Sequence, residues 1–163
     1  MTERDPAPPV LGWKEHAALP EWGIRRLRVK LDTGARSSAL HVTDLEILGR
    51  VERDGDEREM LRFAVVLGRG PDARRRIVET ESVGSLVVRD SGAREEERPL
   101  VRTRIVMGPL DRVIDLTVTD RSDMNFRMIL GRTTLDGVCL VDPSRGYTAS
   151  PPPRQATRVA VGD

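Results

Sequence analysis

One aspartate in the sequence lies in a context that suits acid–base chemistry. Asp32 ends an apolar alternating run and is followed by Thr33 and Gly34, within the string KLDTGARSSALH. Gly34 lets the backbone turn tightly and bring its N–H groups close to the carboxylate, and the Thr33 hydroxyl can lock the loop. Taken alone, an Asp-x-Gly turn is also a common hairpin signal, so a purely structural turn remains an alternative.

A second element almost a hundred residues downstream strengthens the catalytic interpretation of Asp32. The chain reads MILGRTTL from Met128, which is two bulky aliphatic residues and a glycine before a short helix-like stretch. Together the two elements resemble the retroviral-type (retropepsin) aspartic peptidases. In that fold the Asp-Thr-Gly loop is braced by a second strand that ends in aliphatic-aliphatic-Gly. The resemblance therefore implies a catalytic set and a bracing set: Asp32, Thr33 and Gly34 for the first, Ile129, Leu130 and Gly131 for the second.

The resemblance extends along most of residues 10–147. Four strings, LGWKEHAALPEWG, RLRVKLDTGARSSALHV, MNFRMILGR and VDPSRGY, occur in collinear order. Together they resemble a small bacterial family often labelled "ATP-dependent zinc protease", which is retropepsin-like. This implies a closed acid-protease β-barrel with one short helix and one lobe per chain.

The zinc and ATP of that label have no support in the residues. A catalytic zinc site needs three ligands and an open position, and no His-Glu-x-x-His pattern occurs. His16 and His41 lie 25 residues apart with no third histidine, and Cys139 is the only cysteine. No Gly-x-x-x-x-Gly-Lys-Ser/Thr phosphate loop is present either. We expect neither zinc nor ATP as a cofactor.

A single Asp-Thr-Gly implies two chains. Aspartic peptidases use two carboxylates that share one proton, one ionised to deprotonate water and one protonated to polarise the substrate carbonyl. Only Asp32 has this context. The resemblance therefore predicts a homodimeric aspartic endopeptidase with Asp32 and its symmetry mate at the twofold axis. The alternative is a non-catalytic β-barrel module that partners an ATP-grasp ligase.

Relatives of this family are linked with ATP-grasp enzymes that add glutamates to a ribosomal protein, which makes acidic tails a candidate substrate. Arg36, beside the turn, suits a substrate carboxylate or an ordinary salt bridge, and Arg132, after the bracing glycine, suits a dimer-interface ion pair or a substrate contact. The polar segment 78–100 lies where a retropepsin flap is expected, with Glu97-Arg98 as the counterpart of a family Glu-Arg pair. This makes Arg98 a third candidate for substrate binding beside Arg36 and Arg132. A solvated surface hairpin is the alternative.

The elements that position these residues are predicted to be mostly β. In GIRRLRVKLD the apolar residues Leu27, Val29 and Leu31 fall on one face, as a half-buried strand requires. Further short apolar runs predict strands at 42–48, 60–67, 85–89, 99–107, 112–119, 126–130 and 138–141. Turns are predicted at Asp54-Gly55, Arg69-Gly70-Pro71, Ser91-Gly92 and Gly108-Pro109, and the one helix at 132–136. Closely spaced short strands of this kind favour a barrel or sandwich.

The composition of the chain favours a one-domain protein without general affinity for nucleic acid or membranes. Lys plus Arg number 27 against 26 Asp plus Glu, and a net charge of +1 gives no whole-chain attraction to nucleic acid or membrane. One cysteine and no signal-peptide pattern favour a reducing, cytoplasmic location. We expect one domain over 10–147, with flexible tails at 1–9 and 148–163. Trp13 and Trp22 are interpreted as core or interface anchors, His41 as a satisfied structural residue, and Cys139 as a buried inert thiol.

Overall fold

The computed structural model describes residues 7–89, 92–120 and 125–149. In this part of the chain the structure is mostly β, as the sequence predicts. The strands are β1 (Val10–Leu19), β2 (Ile24–Leu31), β3 (Ala39–His41), β4 (Thr43–Arg53), β5 (Asp56–Leu67), β6 (Arg74–Arg89), β7 (Glu95–Met107), β8 (Leu110–Thr119), β9 (Met128–Leu130) and β10 (Leu140–Gly146). One short helix, α1 (Arg132–Leu135), and two 3₁₀ turns, Pro20–Trp22 and Gly70–Asp72, complete the described elements.

Six strands close into a ring in the order β1-β2-β9-β3-β8-β7, and a pairing between Ala18 of β1 and Val106 of β7 completes it. Two neighbour pairs in the ring are parallel, β2 with β9 and β3 with β8. The sheet continues from β7 through β6, β5 and β4, and β10 pairs in parallel with the first half of β1. The predicted closed barrel is therefore confirmed.

The interior of the ring and the inner face of the sheet extension share one apolar core. Leu27, Val29 and Leu31 are all buried, as their alternation along β2 predicts. Trp22 packs edge-to-face on Phe63 with ring centroids 5.5 Å apart, which joins the ring to β5. Burial of these side chains supplies the main stabilising free energy, at about 25 cal/mol for each Å² of apolar surface removed from water.

Two strands of the ring are not among the predicted ones. β1 contains Gly12 and an Ala-Ala pair in place of an alternating pattern, and β3 has only three residues. Both are strands because neighbours pair with them on two sides. Strand preference depends on such pairing and burial more than on residue type.

The remaining predictions differ mainly in length. The predicted strand at 85–89 is the end of the 16-residue β6, and the predicted one at 138–141 is displaced to Leu140–Gly146. Ser91 of the predicted Ser91-Gly92 turn, and most of the two predicted tails, lie outside the described residues, so flexibility there stays a prediction. Thr148 and Ala149 are described, and their backbone N–H groups donate to Oε1 of the buried Glu15 at 3.1 and 3.3 Å.

Candidate active site

Two parallel strands bring the predicted catalytic and bracing residues to the same edge of the barrel. Leu31, the last residue of β2, is paired with Leu130, the last residue of β9. Each strand is followed directly by a predicted site residue, Asp32 after β2 and Gly131 after β9. The backbone N–H of Asp32 donates to the carbonyl of Leu130 at 2.8 Å. Neighbouring parallel strands thus place two segments together that are almost a hundred residues apart in the sequence.

The Asp32 carboxylate is held by its own turn and stays accessible. The backbone N–H of Gly34 donates to Oδ1 at 3.0 Å, and Nζ of Lys30 lies 4.0 Å from Oδ2. The Asp32 side chain is 31% exposed, so the carboxylate is within reach of water and of a ligand. The Ala35 N–H closes the turn on the Asp32 carbonyl at 3.2 Å. This geometry leaves Oδ2 for chemistry, because Oδ1 is already engaged.

The Asp32 loop, residues 32–38, is packed directly against Gly131. A Cβ atom added to Gly131 would lie 2.5 Å from the carbonyl oxygen of Ser37 and 2.9 Å from the carbonyl carbon of Arg36. Both of these atoms belong to the backbone, so no side chain can rotate away. The backbone φ of Gly131 is −93°, which any residue adopts. Glycine is required at this position by close approach and not by conformation.

The start of α1 adds further backbone bonds to the loop. The N–H of Arg132 donates to the carbonyl of Ala35 and the N–H of Thr133 to the carbonyl of Arg36, both at 2.9 Å. These two donors belong to the first turn of the helix, where N–H groups have no partner within the helix. The carbonyl groups of the loop therefore accept hydrogen bonds from the free N–H groups of the helix, and these bonds hold the loop in place.

A buried hydroxyl pair completes the brace. Ser38 Oγ accepts the Gly131 N–H at 3.1 Å and lies 2.5 Å from Oγ1 of Thr134. The carbonyl of Ser38 accepts the N–H of Thr117 on β8 at 3.0 Å. Ser38 and Thr134 are both almost fully buried, at 0% and 1% exposed. This pair was not predicted from the sequence, where small hydroxyl residues beside both motifs are the only signal of it.

A cavity of about 820 Å³ adjoins the Asp32 loop, and we call it the first cleft. One wall is the loop itself, from Gly34 to Ser37, with Ile129 of β9. The other wall is the outer end of the hairpin formed by β6 and β7, including Val87, Val88 and Arg98. This outer end lies within the predicted flap segment 78–100, and Arg89 of β6 is paired there with Glu95 of β7. Its position across the cleft is the one that a flap would take.

The three predicted substrate-binding arginines lie in different places. Arg36 is exposed and lines the first cleft, and Arg98 lines the opposite wall. Arg98 is only 5% exposed and its Nε donates to Glu96 at 3.1 Å. Arg132 instead donates from Nη1 to the carbonyl of Thr33 at 3.0 Å, so its guanidinium group supports the Asp32 loop. The structure thus brings Arg36 and Arg98 together around the cleft and gives Arg132 a loop contact.

Trp13, Trp22, His41 and Cys139, which were also singled out in the sequence, lie in packed or partly buried positions. Trp22 is in the core and Trp13 packs edge-to-face on Phe126 at 5.9 Å. His41 is buried, with Nδ1 4.0 Å from the carboxylate of Asp120. Cys139 is only half-buried, and this burial raises the pKa of its thiol. A raised pKa keeps the thiol protonated and unreactive, which suits an inert role.

Within residues 7–89, 92–120 and 125–149, no three His, Cys, Asp or Glu side chains are grouped so that they could hold a metal ion. The same described residues include no helix of the length and hydrophobicity needed to cross a membrane.

A family model and several known proteins are similar to this chain. The RimB-like family model, described as retropepsin-like aspartic endopeptidase RimB, matches residues 10–152. The crystal structure of protein Lpg0085 from Legionella pneumophila subsp. pneumophila strain Philadelphia 1, described as of unknown function, superposes with a TM-score of 0.69 at 29% identity. The alignment covers 88% of this chain and 100% of that protein's chain.

Longer curated proteins also match. A "Probable alpha-L-glutamate ligase" of Parasynechococcus marenigrum (strain WH8102) is 32% identical over 141 residues, which is 85% of this chain and 28% of the ligase. A protein of the same name from Desulfotalea psychrophila (strain LSv54 / DSM 12343) is 29% identical over 143 residues, which is 86% of this chain and 29% of that protein. The chain therefore spans less than a third of the length of these curated relatives.

Proposed function

Because this chain belongs to the RimB-like family of retropepsin-like aspartic endopeptidases, we propose that it hydrolyses peptide bonds as a homodimer, with water activated between two Asp32 carboxylates. The observation that carries the proposal is the position of Asp32. Its carboxylate is partly exposed at the end of β2, with Oδ1 held by the Gly34 N–H and the Asp32 loop forming a wall of the first cleft.

The proposed mechanism requires two carboxylates with different protonation. The ionised one removes a proton from a bound water, and the protonated one donates to the carbonyl oxygen of the scissile peptide as the tetrahedral intermediate forms. Two carboxylates at about 3 Å cannot both ionise easily, so the pair retains one proton at moderately acid pH. The Gly34 amide supports this role because it fixes Oδ1 and directs the second oxygen outward.

The homodimer follows from the number of such aspartates. The sequence contains one Asp-Thr-Gly, and the other Asp-Gly pairs, Asp54-Gly55 and Asp136-Gly137, lie in other turns. A second carboxylate in the same geometry is available only from a second copy of the chain. A twofold axis beside the Asp32 loop places two equivalent carboxylates together with no further sequence requirement.

Substrates rich in glutamate suit the charge around the first cleft. Arg36 and Arg98 line it from opposite walls, and guanidinium groups form paired hydrogen bonds with carboxylates. The ligase relatives are named for α-L-glutamate, which favours the same substrate class. The β6–β7 hairpin then acts as the flap that closes over the peptide and excludes water.

The decisive test is Asp32→Asn, which keeps the shape of the side chain and removes the general base. We expect this variant to lose peptide hydrolysis while retaining its thermal unfolding midpoint and its mass by light scattering. Asp54→Asn is the matched control, since it makes the same chemical change in an exposed turn and should keep full activity. Full activity of Asp32→Asn would refute the aspartic mechanism.

The substrate class has its own test. Matched poly-Glu and poly-Gln peptides are digested by wild type and by Arg36→Gln at low and high salt. We expect preferential cleavage of poly-Glu by wild type and a reduced preference in the variant. The preference should also fade with salt, because exposed charges are screened over about 8–10 Å at physiological ionic strength. Equal rates for both peptides would show that the cleft arginines are structural.

The ligase names also favour a second candidate, a non-catalytic binding module for a glutamate ligase. In the curated relatives the matching region is less than a third of a longer protein. Such a module would give no turnover of any library peptide even when dimeric. A peptide-library digest of wild type beside Asp32→Ala separates the two candidates, since only the peptidase gives products that depend on Asp32.

A further inference from the structure

A second cleft, which we call the arginine cleft, lies at the opposite end of β2 from Asp32. Its volume is about 1150 Å³, and the described residues that line it include eight arginines and a single carboxylate, that of Asp72. The arginines come from three separate segments, which are β2, the β5–β6 connection with the start of β6, and the residue before β9. The whole chain has a net charge of only +1, so this concentration of positive charge is local.

Several arginines outside this cleft are paired with carboxylates on other strands. Arg102 pairs with Asp115 and Arg104 with Asp111, each through two hydrogen bonds. Arg53 and Arg62 form ion pairs with Glu81 and Glu46. In the arginine cleft the pattern is broken: four arginines have no carboxylate partner among the described residues, namely Arg25, Arg26, Arg69 and Arg74.

Three guanidinium groups of the cleft, those of Arg28, Arg69 and Arg127, lie close enough to repel one another. Arg127 donates from Nη1 to the carbonyl of Gly68 at 2.7 Å. Burial lowers the pKa of Arg127, and the positive charges of Arg69 and Arg28 lower it further. The fold thus maintains a repulsion that an anion would relieve, because opposite charges within a few ångströms of each other favour the charged form.

We propose that the arginine cleft binds an acidic polypeptide segment, a run of glutamate or aspartate side chains. Forked guanidinium donors on two sides of a cleft match carboxylates on alternate side chains of an extended chain. The size of the cleft suits a few such residues. This role rests on the proposed peptidase function. The arginine cleft would bind the acidic substrate at a point distant from the scissile bond.

Single-stranded nucleic acid fits the cleft less well. Its recognition depends on aromatic rings that are free to stack on bases. The rings that line the described part of this cleft are already engaged. His16 stacks on Tyr147 with centroids 4.5 Å apart, and Phe126 packs on Trp13 and lies 4.9 Å from the Arg28 guanidinium. Binding of carboxylates requires only the forked N–H donors of the guanidinium groups and no free aromatic ring.

The position of the cleft relates it to the Asp32 loop. β2 and β9 run in parallel from the arginine cleft to the loop, with Val29 paired to Met128. Arg28 and Asp32 are four positions apart, which corresponds to about 13 Å along an extended strand at 3.3 Å per residue. An acidic peptide of about six residues or more therefore has the reach to contact both sites.

The test measures binding without turnover. A fluorescein-labelled peptide of twelve glutamates is titrated into full-length Asp32→Asn protein, and its anisotropy gives the Kd. Adding Arg26→Gln and Arg74→Gln should weaken binding about tenfold or more and reduce the dependence of log Kd on log salt. The matched control, Arg50→Gln with Arg62→Gln, removes the same charge from paired arginines on β4 and β5 and should change Kd less than twofold.

Two further probes set the specificity. A twelve-residue glutamine peptide should not bind, and a twelve-nucleotide oligouridylate should bind no more tightly than the glutamate peptide at equal salt. Equal losses in the cleft and control variants would overturn the proposal. Tighter, cleft-dependent binding of the oligonucleotide would also overturn it and would assign the site to nucleic acid.

Kinetics separate this inference from the proposed function. With the catalytic aspartate intact, Arg26→Gln with Arg74→Gln should raise KM for the acidic peptide and leave kcat unchanged. If wild type hydrolyses no peptide but the binding results hold, the peptidase proposal fails and the acidic-peptide site stands. If hydrolysis depends on Asp32 but the cleft variants bind and cleave like wild type, the peptidase stands and the site is refuted.

Discussion

Replacing Gly131 with alanine tests the bracing contact at its closest point. The new Cβ would lie 2.5 Å from the Ser37 carbonyl oxygen, whereas ordinary contacts begin near 3.4 Å. The backbone of the Asp32 loop must therefore move by about 0.5–0.9 Å. Overpacking of this kind costs about 1–3 kcal/mol. For a chain of this size that corresponds to a fall in Tm of about 2–12 °C, at roughly 2–4 °C per kcal/mol.

The effect on catalysis should be larger than the effect on folding. A misplacement of about 1 Å in a reacting group can reduce the rate about 100-fold. Because the expected displacement is somewhat below 1 Å, we expect kcat of Gly131→Ala to fall by about 10-fold to 100-fold at a temperature where the variant remains folded. The assay is hydrolysis of an acidic peptide well below the Tm, with amide hydrogen exchange of residues 32–38 as a readout of loop displacement that does not require activity.

Gly55→Ala is the matched control for this experiment. Gly55 has a φ of +85° and no atom within 4 Å of an added Cβ, so alanine there meets backbone strain but no contact. The strain costs about 1–2 kcal/mol. Its Tm should fall by a comparable amount while kcat and loop exchange stay unchanged. A Gly131→Ala protein with wild-type Tm and kcat would refute the close approach on which the brace depends.

Three other perturbations probe the site. Ser38→Ala leaves the buried Gly131 N–H and the Thr134 hydroxyl without their partner, so it should cost about 1–3 kcal/mol in urea unfolding, whereas Ser85→Ala on the exposed hairpin should change stability by less than about 0.5 kcal/mol. Because burial raises the pKa of the Cys139 thiol, alkylation by iodoacetamide at pH 8 should be slower than in the urea-unfolded chain, and an equal rate would contradict this protection. EDTA should leave peptide hydrolysis unchanged, and inactivation that zinc reverses would show that a metal is required.

The fold class and family were predictable from the sequence because a few positions are tightly constrained. The alternation of Leu27, Val29 and Leu31 predicted β2, which ends at Leu31 directly before Asp32. The aliphatic pair before Gly131 predicted the second element, and the family match confirms the resemblance that these strings suggested. Such patterns are local, since each depends on the period of one strand or the geometry of one turn.

The features that escaped prediction depend on contacts between distant segments. β1 has no strand-like alternation, and only its pairing with β2, β7 and β10 makes it a strand. The Ser38–Thr134 pair spans 96 residues and has no signature in either segment alone. The arginine cleft is similar, because its arginines lie on three segments that are far apart in the sequence and meet only in the folded chain.

The long span of the brace has a consequence for the order of events during synthesis. The Asp32 loop receives its supporting bonds from Gly131, Arg132 and Thr134, and the Arg132 contact alone joins residues 99 positions apart. At roughly 5–20 residues per second, a ribosome needs about 5–20 s to add that length of chain. During this interval the nascent chain contains Asp32 but not the segment that braces the Asp32 loop. A growing polypeptide therefore cannot form these supporting bonds to the Asp32 loop until residues 131–134 have left the ribosome.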